Sequence, residues 1–258
     1  MQYADRALPI FRSVRGILLP KYGHAETVRG KSDSPVDVVT EVDEAVEAYL
    51  AQALERALPH ISFVGEEGGG DRAAKQFWLC DPIDGTAHYV RGTPFCTSML
   101  SLIDEGRVVF SAIYDFLNDK MYFAERGEGA YCEGTKLSVS DRPLHKAYLD
   151  IETKITNPEN ARIYHALRDR AVVFKTISAG FEFMMIASGK FEARIQLDPW
   201  GEDYDFAPGS LLIEEAGGKV ANIGSKTFDY KNLNAIMANP VVFKELTEGP
   251  DALFPVTQ

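Results

Sequence analysis

The 258-residue chain is 45% hydrophobic and 25% charged with a net charge of −11, the composition of a globular protein able to bury one large core or two fused smaller ones. This negative balance, with no block of Lys and Arg, argues against a nucleic acid polymer as partner, and no apolar run approaches the roughly 18 residues that a membrane span needs. The opening MQYADRALPI has no secretory-type apolar run, and Cys80, Cys96 and Cys132 form no CxxC pair and cannot all be bridged, so free thiols in the cytoplasm are expected.

In chain order, the first 20 residues have amphipathic helical spacing that Pro9 weakens. Residues 41–58 place Val42, Ala45, Val46, Tyr49, Ala53, Leu54 and Ala57 on one helical stripe, with Thr40 and Asp43 as a capping pair. The runs ISFVG and FWLC read as strands that end directly in acids: Glu66 and Glu67 after the first, Asp81 after the second. Residues 95–132 read as an antiparallel meander, its strands separated by the turn signals DEG, LND and GEG. Beyond Lys136 the pattern changes. Helices are expected near 158–170, 180–188 and 204–216, alternating with strands near 147–151, 192–197 and 234–238. This divides the chain into an α+β subdomain, 1–136, and an α/β subdomain, 137–258.

The segment LCDPIDGTAHYVRGTPF delivers two carboxylates, Asp81 and Asp84, into a turn that Pro82 and Gly85 stiffen. A calcium EF-hand loop does not fit, since its third and twelfth positions would be Ile83 and Gly92. An aspartyl-phosphate phosphatase uses a D-x-D spacing, and one extra residue intervenes here, which changes where the second carboxylate points. A site for several divalent ions, held roughly 4 Å apart by bridging carboxylates, asks for more acids. Glu66, Glu67, Asp37, Asp43, Asp203 and Asp205 supply them, although each also has a plain reading as a helix-start or solvated-turn residue. Acids gathered without Lys or Arg raise one another's pKa unless cations sit among them.

These motifs together resemble the inositol monophosphatase family of magnesium-dependent, lithium-sensitive phosphatases. GEE at 65–67, DPIDGT at 81–86, YVRGTPF, RGEGAYCEG, DVVTEVD and YDFAPGSLLIEEAGGKV at 204–220 follow the family's order and approximate spacing. The resemblance implies an α/β fold, a layered α/β/α/β/α sandwich with mixed and antiparallel sheets and the site between the subdomains. It implies two to three Mg2+ ions: Glu66, Asp81 and the Ile83 carbonyl on the first, Asp81, Asp84 and Asp205 on the second, with Asp81 bridging. Thr86 and Asp43 would polarise the attacking water with no phospho-enzyme, Glu66 and Asp84 would assist catalysis, and the amides of Gly85 and Thr86 would face the phosphate. Substrate contacts would come from Asp84, Ser178, Ala179 and Asp205, and from Gln196 or Asp198.

The chain departs from the family pattern in places. Tyr204 stands where Trp is usual, His88 where Asn is usual, and Pro208 replaces a small residue near the first turn of its helix. The stretch EARIQLDPWGEDYD is about two residues longer than usual, so counting forward gives Gln196 and counting back gives Asp198 as the sugar-contacting position. Inositol 1-phosphate is the first substrate candidate. Histidinol phosphate, fructose 1,6-bisphosphate and 3′(2′),5′-bisphosphate nucleotides share the same chemistry, and a non-catalytic phosphate-binding relative is the remote alternative. A homodimer is implied by the resemblance.

Overall fold

The computed structural model describes residues 1–30 and 38–256. The chain begins with helices α1 (Ala4–Ser13) and α2 (Arg15–Leu18), the short antiparallel ribbon β1 (Thr27–Gly30) and β2 (Val38–Thr40), and helix α3 (Glu41–Ala57). Pro9 lies inside α1 and the helix forms nonetheless. Ala4, Ala7 and Phe11 anchor its buried face, and the Glu125 carboxylate accepts the N–H groups of Gln2, Tyr3 and Ala4 at its start. Those are donors that a helix N-terminus leaves without intrahelical partners, and burial of the apolar stripe offsets the one backbone bond that proline removes. Asp37 lies outside the described residues.

The first large sheet runs in chain order through β3 (Ser62–Gly65), β4 (Gln76–Asp84), β5 (Thr97–Asp104), β6 (Arg107–Asp115), β7 (Lys120–Glu125), β8 (Gly129–Cys132) and β9 (Thr135–Lys136). Only β3 and β4 pair in parallel; β5 to β8 form the expected meander, which β4 and β9 extend at its two ends in the same antiparallel pairing. A short helix, α4 (Thr86–Arg91), follows β4 directly. The second sheet has the order β11-β10-β12-β14-β13, built from β10 (Tyr148–Thr153), β11 (Val172–Lys175), β12 (Ala193–Leu197), β13 (Lys219–Asn222) and β14 (Ala235–Ala238). β10, β11 and β12 are parallel, and β14 runs antiparallel to both neighbours.

Helices α5 (Pro158–Arg168), α6 (Ala179–Ala187), α7 (Asp203–Glu215) and α8 (Pro240–Thr247) complete the layers. α1 and α3 cover the outer face of the first sheet, α6 and α7 lie between the sheets, and α5 and α8 cover the outer face of the second, giving α/β/α/β/α. Both sheets are therefore buried on two faces, which is why Phe77–Cys80 and Ala235–Ala238 read as continuous apolar runs without alternation. Gly209 lets the two middle helices touch, since a Cβ there would fall 2.2 Å from the Phe183 ring. Pro208 is the sixth residue of α7, in its second turn; the sequence reading placed it near the first. Among the described residues no helix is long and apolar enough to cross a membrane.

Candidate active site

Strand β4 ends in the two aspartates, and a bulge decides where they point. Asp81 pairs with Met99 while Asp84 pairs with Thr97, so β4 advances three residues where β5 advances two. In a regular strand side chains three apart face opposite sides; the extra residue returns Asp84 to the side of Asp81. Gly85 follows with φ +79°, and a Cβ there would come 2.5 Å from the Phe95 carbonyl, so only glycine permits this exit into α4. Carboxylate oxygens of Asp81, Asp84 and Asp205 all lie within 4.8 Å of one another. Asp205 arrives from the first turn of α7, where its Oδ2 accepts the Glu202 N–H in a capping box.

Nothing among the described residues neutralises this cluster with Lys or Arg. Asp81 Oδ1 is buried with no hydrogen-bond partner. Asp81 and Asp205 are pushed well above the usual carboxylate range, first by burial and next by the charge of Glu66. Glu66 follows β3, and its N–H donates to the Cys80 carbonyl, one residue before Asp81. Buried oxygen donors that repel one another and leave one atom unsatisfied suit a hard divalent cation, so this donor set fits magnesium. Tyr204, next to Asp205, keeps its hydroxyl protonated through burial and the nearby Glu66.

Asp84 is held by residues of the second half of the chain. Its Oδ2 accepts from Ser178 Oγ, from the Gly180 N–H at 2.8 Å and from Thr97 Oγ1 at 3.2 Å, while Oδ1 accepts the Ala179 N–H at 3.2 Å. The start of α6 thus grips Asp84, and Ser178 and Ala179 touch the aspartate itself. Thr86 Oγ1 lies 3.4 Å from Asp43 Oδ1 and donates more closely, at 2.8 Å, to the Ile83 carbonyl. Asp43 is also the capping partner of Thr40, accepting its N–H and hydroxyl through Oδ2. Burial raises Asp43 to about 7, with Thr40's donors pulling down and Glu66 and Glu67 pushing up. His88 contacts Thr93 through Nδ1 at 2.8 Å and packs edge-on against Phe95.

Gln196 and Asp198 separate clearly. Gln196 is fully buried on β12, on the sheet face turned toward α6 and α7, and both atoms of its amide lack partners. Asp198 is exposed with φ +51°, accepts from Asn160 of α5 at 3.0 Å, and so turns toward the outer helical layer.

The sequence reading missed a second charged centre beside Gln196. Arg194 is fully buried, pairs with Asp150 at 2.9 Å, with Glu152 at 2.5 Å and with Glu182, and is flanked by the rings of Phe183 and Phe206. The three acids reach outward to the loops that lead to the Asp84 and Asp205 carboxylates. Asp150 accepts from Thr176, Glu182 accepts the Ile177 N–H, and Glu152 accepts the Trp200 N–H at 2.7 Å. The signal was present as polar residues at alternate positions, Asp150 and Glu152 in one apolar strand and Arg194 and Gln196 in another.

Comparison with known proteins follows the same outline. The sequence model of the inositol monophosphatase family matches residues 4–249. An inositol-1-monophosphatase of Bacillus subtilis is 31% identical over 237 residues, 86% of each chain. A Nus factor SuhB of Xylella fastidiosa is 30% identical over 222 residues, 82% of this chain and 78% of its own length. The solved structure of an IMPase/NADP phosphatase complexed with Mg2+ and phosphate superposes with a TM-score of 0.77 at 26% identity, covering 94% of this chain and 93% of that one.

Proposed function

The chain belongs to the inositol monophosphatase family, and from that premise we propose that it hydrolyses a small phosphate monoester, inositol 1-phosphate first, by direct attack of water. The observation that carries this reading is the group of three carboxylates within 4.8 Å of one another, with no Lys or Arg among the described residues paired to them, beside the Thr86–Asp43 pair. Asp81, Asp84 and Asp205, with Glu66 and the Ile83 carbonyl, would hold two to three magnesium ions, Asp81 shared between two of them. When bound, the ions supply Lewis acidity and offset the charge that develops on the transferring phosphoryl group.

The protein's own residues do the rest. Thr86 orients the attacking water through its hydroxyl and passes a proton toward Asp43, a carboxylate poised near neutrality as a base requires. The amides of Gly85 and Thr86 face the phosphate oxygens across a turn that the left-handed Gly85 opens. Asp84, fixed by Ser178, Ala179 and Gly180, would serve both as a metal ligand and as a contact to a substrate hydroxyl. Of the two candidates for the sugar contact, we assign Gln196, because its buried, partnerless amide faces the middle layer whereas Asp198 is bound to Asn160. We place the site at the junction of subdomains 1–136 and 137–258. A cytoplasmic homodimer accords with the free thiols and with the exposed Tyr148 of β10 and Val172 and Phe174 of the edge strand β11; light scattering that gives a monomer would refute the dimer.

Phosphate release with magnesium is the test, on inositol 1-phosphate, histidinol phosphate, fructose 1,6-bisphosphate and adenosine 3′,5′-bisphosphate. Preference for inositol 1-phosphate, with inhibition by millimolar lithium, is expected. No release from any of them by magnesium-loaded protein would sink the reading. A trapped phosphoryl-Asp81 would replace water attack with covalent catalysis.

A further inference from the structure

Glu47 of α3 is a buried acid, 6% exposed, and its partners are backbone groups. Its Oε1 accepts the Glu67 N–H at 2.7 Å and its Oε2 the Gly68 N–H at 2.9 Å, so one carboxylate spans two successive amides of the turn that leaves β3. Gly65 makes room for that grip. A Cβ at residue 65 would stand 2.2 Å from Glu47 Oε2 and 2.4 Å from its Cδ, although the backbone there is not left-handed and asks for no glycine on its own account. The turn also closes on itself, since Gly65 and Gly69 each donate an N–H to the other's carbonyl, at 3.0 and 3.1 Å.

Glu66 sits between these anchors. Its own N–H donates to the Cys80 carbonyl at 3.1 Å, and the next amide in the chain is the one that Glu47 holds. Both peptides that flank Glu66 are therefore fixed, and its charge is the strongest that Asp81 and Asp205 feel. Glu47 lies one turn along α3 from Asp43 and on the same face, and Asp43 is buried as well. One helix thus carries the carboxylate that faces Thr86 and the carboxylate that fixes Glu66. Burial pushes the Glu47 carboxyl above its ordinary range in spite of the two amides, so the arrangement costs stability that a plain turn would not require.

We propose that Glu47 is a positioning residue for the metal site: by holding the turn around Glu66 it sets where the Glu66 carboxylate meets Asp81, and so sets the affinity for the ion they share. The inference rests on the metal-dependent phosphatase reading and gives Glu47 no contact with metal or substrate. A purely electrostatic role would need only a negative charge near the cluster. A purely structural role would need only the packing of α3 against β3.

The test titrates Mn2+, a hard ion that takes the same oxygen donors and whose free form is counted by electron paramagnetic resonance. The proteins are wild type, Glu47→Asp, Glu47→Gln, Gly65→Ala and Glu47→Gln/Gly65→Ala, each also melted in chelator to check its fold. Glu47→Asp keeps the charge and loses the reach; Glu47→Gln keeps the reach and replaces one acceptor with a donor. The expected result is a Kd for the tightest ion raised about tenfold in every single variant, the size of effect that supporting partners of metal ligands have. The double variant should add little, because both changes remove the same grip. The magnesium concentration that half-activates phosphate release should rise in parallel, with kcat at saturating magnesium within about threefold of wild type. Wild-type affinity in Glu47→Asp would leave charge alone as the cause, and lower melting temperatures with unchanged affinity would leave packing alone; either overturns the inference and leaves the phosphatase reading intact. Wild-type protein that binds no Mn2+ would overturn both. Raised Kd values with no turnover of any ester would support the positioning role and overturn the phosphatase reading.

Discussion

The acids at the end of β4 and the acids of β10 are comparably buried, with Asp81 1% and Asp150 0% exposed, yet they are balanced in opposite ways. Asp150, Glu152 and Glu182 surround Arg194, and each also accepts from a neighbouring loop, so the second cluster carries its own cation and holds structure together. Among the described residues Asp81, Asp84 and Asp205 share no cation, and one oxygen of Asp81 has no partner. Burial of like charges costs stability unless something from solution offsets it. The difference separates a site that stabilises the fold from a site that the fold keeps ready for a metal.

Removing one charged side chain should therefore act oppositely in the two regions. Asp81→Asn is expected to lower turnover by about a thousandfold or more, since it removes the shared ligand, while the metal-free protein melts no lower than wild type. Retained activity would break the assignment of Asp81. Arg194→Met, similar in reach and uncharged, should destabilise by roughly 3–5 kcal/mol because it leaves three buried carboxylates without a cation. Denaturant unfolding measures this, and an unchanged midpoint would show that the second cluster does not hold the fold as described. Magnesium should raise the melting temperature of wild-type protein and do so much less in Asp81→Asn, whereas Arg194→Met, from its lower baseline, should gain as much as wild type.

The smallest of these effects concerns pH. Burial raises Asp43 from its ordinary 3.8 to about 7, so the folded chain binds its proton more tightly than the unfolded chain does. Stability from this group is complete below about pH 4 and is lost as pH rises through about 7. Metal-free protein should melt several degrees lower at pH 8 than at pH 5, and Asp43→Asn should flatten the part of that slope due to this residue. A slope unchanged in Asp43→Asn would place the titration elsewhere.

Local chemistry made much of this legible in the sequence. The 41–58 periodicity with Thr40 and Asp43 became α3 and its capping box, the meander formed, and acids at strand ends met in space, because caps, turns and apolar periods act over a few residues. The short elements β1, β11, β13 and α4 had no such signature; they form through neighbours distant in the chain. Pro9 in α1 shows tertiary burial overriding a local preference. Sequence alone thus determined the carboxylates, the threonine and the glycine turn, since residue type and spacing carry that chemistry. Only the tertiary structure decided which way they point: the β4 bulge turned Asp84 to Asp81, the packing of α6 against the first sheet brought Ser178 to Asp84, and the strand order set Arg194 among three acids. Each depends on contacts between residues far apart in the chain, and such contacts leave no trace in local spacing.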